Sequence, residues 1–152
     1  MPPVDPRAAT LFGIVNAVAL VGWLLLAATL FVPRLRAAGW RATGIWLPLA
    51  FGVAYVASLA IAARTGAGGG FGSIAEVRTL FAHDFALTGG WLHYLAFDLF
   101  VGTWIARHGV AEGVPALPIL PCLALTFLFG PAGLLAFFVL RAVAGRRAPA
   151  PA

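Results

Sequence analysis

The residues best equipped for chemistry lie in the stretch Gly90-Trp91-Leu92-His93-Tyr94-Leu95-Ala96-Phe97-Asp98-Leu99-Phe100. It sets an imidazole and a carboxyl inside an otherwise uncharged run from Phe85 to Ala106, bounded by Asp84 and Arg107. In a low dielectric both groups favour their neutral forms, so Asp98 would carry a proton to give and His93 could accept one. That is the pairing a general acid and a general base need, and a proton relay would look the same. At about 100° per helical residue, Tyr94 and Asp98 are one turn apart and about 40° from each other, whereas His93 lies about 140° from Asp98. Two ligands on one helix would want i, i+4 spacing, so no metal site is expected. The single Cys122 permits neither an intrachain disulfide nor a CxxC pair. No cofactor is implied. His93, Tyr94, Phe97, Asp98 and Val101 mark one broad face against a partner helix, with His93 and Asp98 as catalytic candidates and Trp91, Tyr94 and Phe97 as substrate contacts. The competing reading makes Asp98 and His93 structural, hydrogen-bonded to neighbouring helices as packing glue.

The elements that must position this stretch are apolar helices. The chain of 152 residues is 62% hydrophobic and 10% charged, against roughly 25% charged residues in soluble domains. Four runs of about the 20 residues a bilayer requires are predicted as spans: about 10–32, 44–63, 85–106 and 118–140. The expected fold is therefore all-α, a single four-helix transmembrane bundle, with irregular tails at about 1–6 and 145–152. The first run is longer than a signal-peptide core and reads as a retained span. All ten basic residues are arginines at the ends of apolar runs, where they anchor helices to headgroups, and no basic face suggests nucleic acid. The expected partners are membrane lipids and an apolar small molecule, and a homo-oligomer is compatible with the composition. Four spans would put both termini on one side with the connection between spans two and three. Arginine-, alanine- and glycine-heavy usage points to a GC-rich bacterial genome, hence to a bacterial inner membrane.

The connection from Thr65 to Asp84 holds a glycine run without the lysine of a phosphate loop. Ser73-Ile74-Ala75-Glu76 follows in capping-box form, and Ile74, Val77, Phe81 and Phe85 recur at helical spacing. This predicts a short amphipathic interfacial helix running into span three. It serves either as a surface anchor or as a lid supplying Glu76 and Arg78 to the site. In span four, Pro118, Pro121 and Gly130-Pro131-Ala132-Gly133 predict a kink, or a break whose freed carbonyls near Phe127 line the pocket of Asp98. Asn16 and Ser58 are suited to interhelical hydrogen bonds.

Trp91-Leu92-His93, Asp98-Leu99-Phe100, and Pro121-Cys122 through Phe129-Gly130-Pro131-Ala132-Gly133 resemble the abscisic-acid-deficient-type membrane proteins, which include the plant neoxanthin synthase. The resemblance runs from about Ser73 to Arg141 and covers the first two spans by hydropathy alone. It implies an acid/base isomerisation of a carotenoid or related isoprenoid. In the plant members the epoxide violaxanthin becomes the allenic neoxanthin. An acid protonates the epoxide oxygen while a base removes a carbon-bound proton, roles for Asp98 and His93. Where family members carry an arginine after the D-L-F motif, this chain has Thr103; Arg107, one turn on, is the candidate substitute. Two other classes remain: a non-catalytic carotenoid or lipid binder, and a proton-coupled transporter titrating Asp98. In all of them His93 and Asp98 are expected to converge with the Gly130–Gly133 break on one pocket.

Overall fold

The computed structural model describes residues 3–145, and among these the only regular elements are helices. Helix α1 runs Pro6–Phe31. The expected N-terminal tail is shorter than its predicted bounds, because Asp5 caps α1: its carboxylate accepts from the Arg7 amide at 2.8 Å, and Pro6 opens the helix. Met1, Pro2 and Arg146–Ala152 lie outside the described residues. Val32, extended before Pro33, ends α1. After a short turn at Pro33–Leu35, Arg36 donates to the freed carbonyls of Thr29 and Leu30 at 3.1 and 3.3 Å.

Helix α2 (Arg36–Arg41), a π-helical segment (Ala42–Trp46) and helix α3 (Leu47–Arg64) form one continuous rod, beginning earlier than the predicted 44–63. Pro48 explains the widening. It has no N–H to bond the Gly44 carbonyl four residues back, and the π turn absorbs the defect. A glycine-rich loop leads to α4 (Ile74–Phe81), whose first turn is capped as expected by the Ser73 hydroxyl on the Glu76 amide. Helix α5 spans Asp84–Ala111.

The contacts fix the directions. The Asp5 amide donates to Asp84 Oδ2 at 2.8 Å and Trp23 packs on Gly102, so α1 and α5 run parallel. Leu59 packs on Gly89 while Thr43 meets Thr103, so α3 is antiparallel to α5. Small residues let these helices approach closely: a Cβ on Gly102 would lie 2.5 Å from the Trp23 ring. Leu26, Leu92, Leu99, Ile105 and Phe137 fill the centre at 0% exposure.

The predicted fourth span at 118–140 is corrected to two short helices, α6 (Ala116–Phe129) and α7 (Pro131–Gly145). At 14 and 15 residues they are about 21–23 Å long, less than the roughly 30 Å of a bilayer core. They fold back on each other. Gly130 takes φ +49 at the turn, and Gly133 sits against Thr126 and Cys122 of α6. Phe137 reaches Gly109, beside Ile119 near the start of α6, and Arg141 pairs with Glu112 at 2.6 Å. Both ends of this hairpin therefore lie at the C-terminal end of α5. The four-span expectation would bring the last helix back to the side of Asp5; instead α7 ends at the opposite end of the bundle.

Of the long helices, Pro6–Phe31 and Pro33–Arg64 are long and apolar enough to cross a membrane. Only 28% and 17% of their most apolar windows are buried, so they do not behave as core helices of a soluble protein. Leu24, Val53 and Val56 face outwards at 63–72% exposure.

At the end of α1 that carries Asp5, the Arg7 hydrogen bonds hold the Asp5 carboxyl below the usual aspartate range. A lowered folded value means the cap is intact above the unfolded aspartate value and is lost as pH falls through the folded one. The expected result is acid fraying of the first turn of α1 before any loss of global helicity, read as faster exchange of the Arg7 amide. Asp5→Asn, which keeps an uncharged cap, removes that pH dependence; unchanged dependence in this variant would show that Asp5 is not its source.

Candidate functional site

The residues predicted as one constellation occupy two faces of α5. Asp98 turns towards the α6–α7 turn, where a Cβ on Gly130 would be 2.8 Å from its Oδ1. Its Oδ2 is buried without a hydrogen-bond partner. One turn earlier, the Tyr94 hydroxyl donates to the Phe127 carbonyl at 3.1 Å. Asp98 thus meets the Gly130 break, whereas the Phe127 carbonyl is taken by Tyr94 one turn away. Trp91 belongs to the same side: it stacks on Tyr94 at 5.1 Å and donates to Asn16 Oδ1 at 3.0 Å, fixing α1 to α5.

His93 is not part of that cluster. Its expected convergence with Asp98 fails because the five-residue separation that excluded a metal site also turns the imidazole to the opposite flank of α5. There it packs against Phe97 at 4.6 Å and Tyr55 of α3 at 5.8 Å. Gly44, Pro48, Gly52, Tyr55, His93 and Phe100 are among the residues lining a groove of about 390 Å³ between α3 and α5. This volume is within the range of small-molecule sites. Among the described residues that line it, His93 is the one ionisable group apart from the Tyr55 phenol, and the rest of the wall is apolar. Gly52 leaves the α3 wall open, since a Cβ there would meet nothing within 4 Å, while Gly44 lets the π segment close on Thr103 at the groove's end.

Sequence reasoning missed this α3 wall. Its signal was present as Gly44, Pro48, Gly52 and Tyr55 at i, i+4, i+8 and i+11, one stripe of a helix.

The remaining predicted contacts lie elsewhere. The Glu76 carboxylate accepts from the Gly72 amide at 3.0 Å and is spent on the loop before α4. Arg78 is exposed on α4. That helix packs near Gly90 through Phe81, eight residues or about 12 Å along α5 from Asp98. This placement suits an anchor and does not bring Glu76 or Arg78 to either face. Arg107, nine residues beyond Asp98, stands over the Trp40 ring at 5.9 Å. Thr103 is buried, donating to Thr43 Oγ1 at 2.7 Å, and contributes to the packing of α5 against the π segment. Ser58 is buried with its hydroxyl unpartnered, so only Asn16 of the two polar candidates bridges helices. Among the described residues no three His, Cys, Asp or Glu side chains gather as metal ligands.

No curated protein and no solved structure matches the chain. The sequence signature of a family described as ABA4-like, ABA DEFICIENT 4-like, matches residues 10–137.

Proposed function

The chain belongs to the ABA4-like (ABA DEFICIENT 4-like) family, and on that premise we propose that it is an integral membrane protein acting on a carotenoid or related isoprenoid in the groove between α3 and α5. The observation that carries this is a lone imidazole, His93, on the wall of an apolar groove of about 390 Å³. Isomerisation of an epoxide to an allenic alcohol needs no outside reactant. A base takes a proton from carbon, the C–O bond opens, and the oxygen gains a proton. His93 is the base, and the Tyr55 phenol beside it is the nearest proton donor on the groove wall. Asp98 in this reading secures the α6–α7 turn.

In this reading α1 and the α2–α3 rod cross the membrane, the less apolar α5 crosses with them because it is packed against both, and α6–α7 enters from one side and returns to it. Its non-helical turn is buried against α5, the condition under which irregular backbone is tolerated at depth. The end bearing Arg34, Arg36, Arg41, Arg107 and Arg141 outweighs the end bearing Arg7, Arg64 and Arg78, so it faces the cytoplasm.

Mass spectrometry of apolar molecules copurifying with the protein tests the reading. An isoprenoid is expected with the wild type and is expected to be lost from Gly52→Leu, which fills open space and leaves the fold intact. Finding only bulk phospholipid in the wild type, or an isoprenoid retained undiminished in a folded Gly52→Leu, would remove the groove from consideration.

A further inference from the structure

The groove that holds His93 does not stop at Phe100. Gly44, Ile45 and Phe100 line both it and a second hollow of about 160 Å³, whose other walls include Trp40, Thr103, Arg107 and His108. The two therefore adjoin along α5 and share that wall, so a ligand that passes between Ile45 and Phe100 would occupy both as one channel. From His93 to Arg107 it covers fourteen residues, about 21 Å. One end is apolar and the other is cationic.

The cationic end is built. Trp40 is fixed from behind by its Nε1, which donates to the buried Thr29 hydroxyl at 3.0 Å. The Arg107 guanidinium stands over the face of this ring, an arrangement that holds the charge while leaving its in-plane N–H donors free. His108 Nδ1 lies 2.9 Å from the Trp104 carbonyl, which can only accept, so Nδ1 carries the proton and Nε2 is left for other work. Among the described residues no acidic side chain lines this end, and Glu112, the nearest acid in sequence, is paired with Arg141. The π segment, Ala42–Trp46, forms the wall at the junction; such segments recur where a helix is reshaped around a site.

We propose that the channel takes an isoprenoid amphiphile, with its apolar body beside His93 and an anionic head, phosphate or carboxylate, on Arg107. This rests on the groove between α3 and α5 being the binding site and adds the polarity and direction of the ligand. A neutral hydrocarbon would use only the His93 half.

The test uses the full chain in nanodiscs of neutral phosphatidylcholine, with geranylgeranyl phosphate, geranylgeraniol, phosphatidylglycerol and inorganic phosphate as probes. The phosphate ester is expected to bind at least about 10-fold more tightly than the alcohol. Arg107→Gln is expected to abolish that difference while leaving alcohol affinity unchanged; inorganic phosphate alone should not bind. Equal affinity for ester and alcohol, or a preference that survives in Arg107→Gln, overturns the anionic head while leaving the groove reading in place. Phosphatidylglycerol competing as well as the isoprenoid phosphate makes the occupant bulk lipid and overturns the assignment. Binding of neither isoprenoid removes both readings.

Discussion

Gly133→Ala should open the α6–α7 hairpin. A Cβ at this position would sit inside contact distance of the Thr126 hydroxyl, the Thr126 amide nitrogen and the Cys122 carbonyl. Two of these are backbone atoms in the middle of α6, and a helix cannot yield them without bending. The third belongs to a hydroxyl already donating to Cys122 O at 2.8 Å. Overpacking a closed interior costs about 1–3 kcal/mol, and more where only backbone could move. The hairpin cannot escape by sliding, because its far end is tied by Phe137, buried at 0% exposure, and by the Arg141–Glu112 pair. The expected result is a clear drop in thermal stability together with faster alkylation of Cys122, which is 4% exposed in the wild type and is the chain's only thiol. Gly13→Ala is the control: its Cβ meets nothing within 4 Å, and alanine in an exposed helix interior is neutral or stabilising by up to about 1 kcal/mol. A Gly133→Ala protein as stable as that control, with Cys122 still protected, would mean that α6 and α7 are not packed this closely.

The same hairpin shows where sequence reading ran out. Hydropathy sums report how much apolar chain there is and say nothing about its direction. Residues 118–140 carry enough apolar chain for one span, and only the left-handed turn at Gly130 converts it into two half-length helices. The Gly-Pro-Ala-Gly motif announced a break but not its angle. The angle depends on Gly133 having no side chain where α6 passes. Elsewhere the sequence was a better guide. The α1, α3 and α5 runs were legible because an apolar run of about 20 residues is long enough to be a spanning helix, and the Ser73 cap was legible because the donor and acceptor are local. The Tyr94–Asp98 stripe held for the same reason, since a one-turn relation survives any packing. A broad face takes in both His93 and Asp98 only if it covers more than a third of the helix circumference. The 140° between His93 and Asp98 was the more informative number, and the structure follows it. The other half of the groove needed a partner for α5 to be identified, and nothing local to Gly44, Gly52 or Tyr55 names that partner.

Separating the two faces of α5 makes the roles of His93 and Asp98 independently measurable. If the proposed isomerisation runs in the groove, His93→Gln is expected to slow it by about 10²–10⁴-fold, the range for losing a general acid–base group. Glutamine fills much of the imidazole's place against Phe97 and Tyr55, so the copurified isoprenoid should be retained. Asp98→Asn should behave in the opposite way. It preserves the shape beside Gly130, and its amide can supply a donor where a carboxylate oxygen is now buried without a partner. The exchange keeps the size of the side chain and removes its capacity for charge, so the variant should be about as stable as the wild type and turn over within a few-fold of it. The double comparison decides the site. If Asp98→Asn abolishes turnover while His93→Gln retains it, the chemistry belongs to the hairpin turn and the α3–α5 groove is a passage or a lipid contact. If both variants abolish turnover with ligand retained, the two faces are coupled through α5, the helix that carries both residues. Loss confined to His93→Gln assigns the reaction to the groove, because a proton can be exchanged with the ligand only by a group that reaches it.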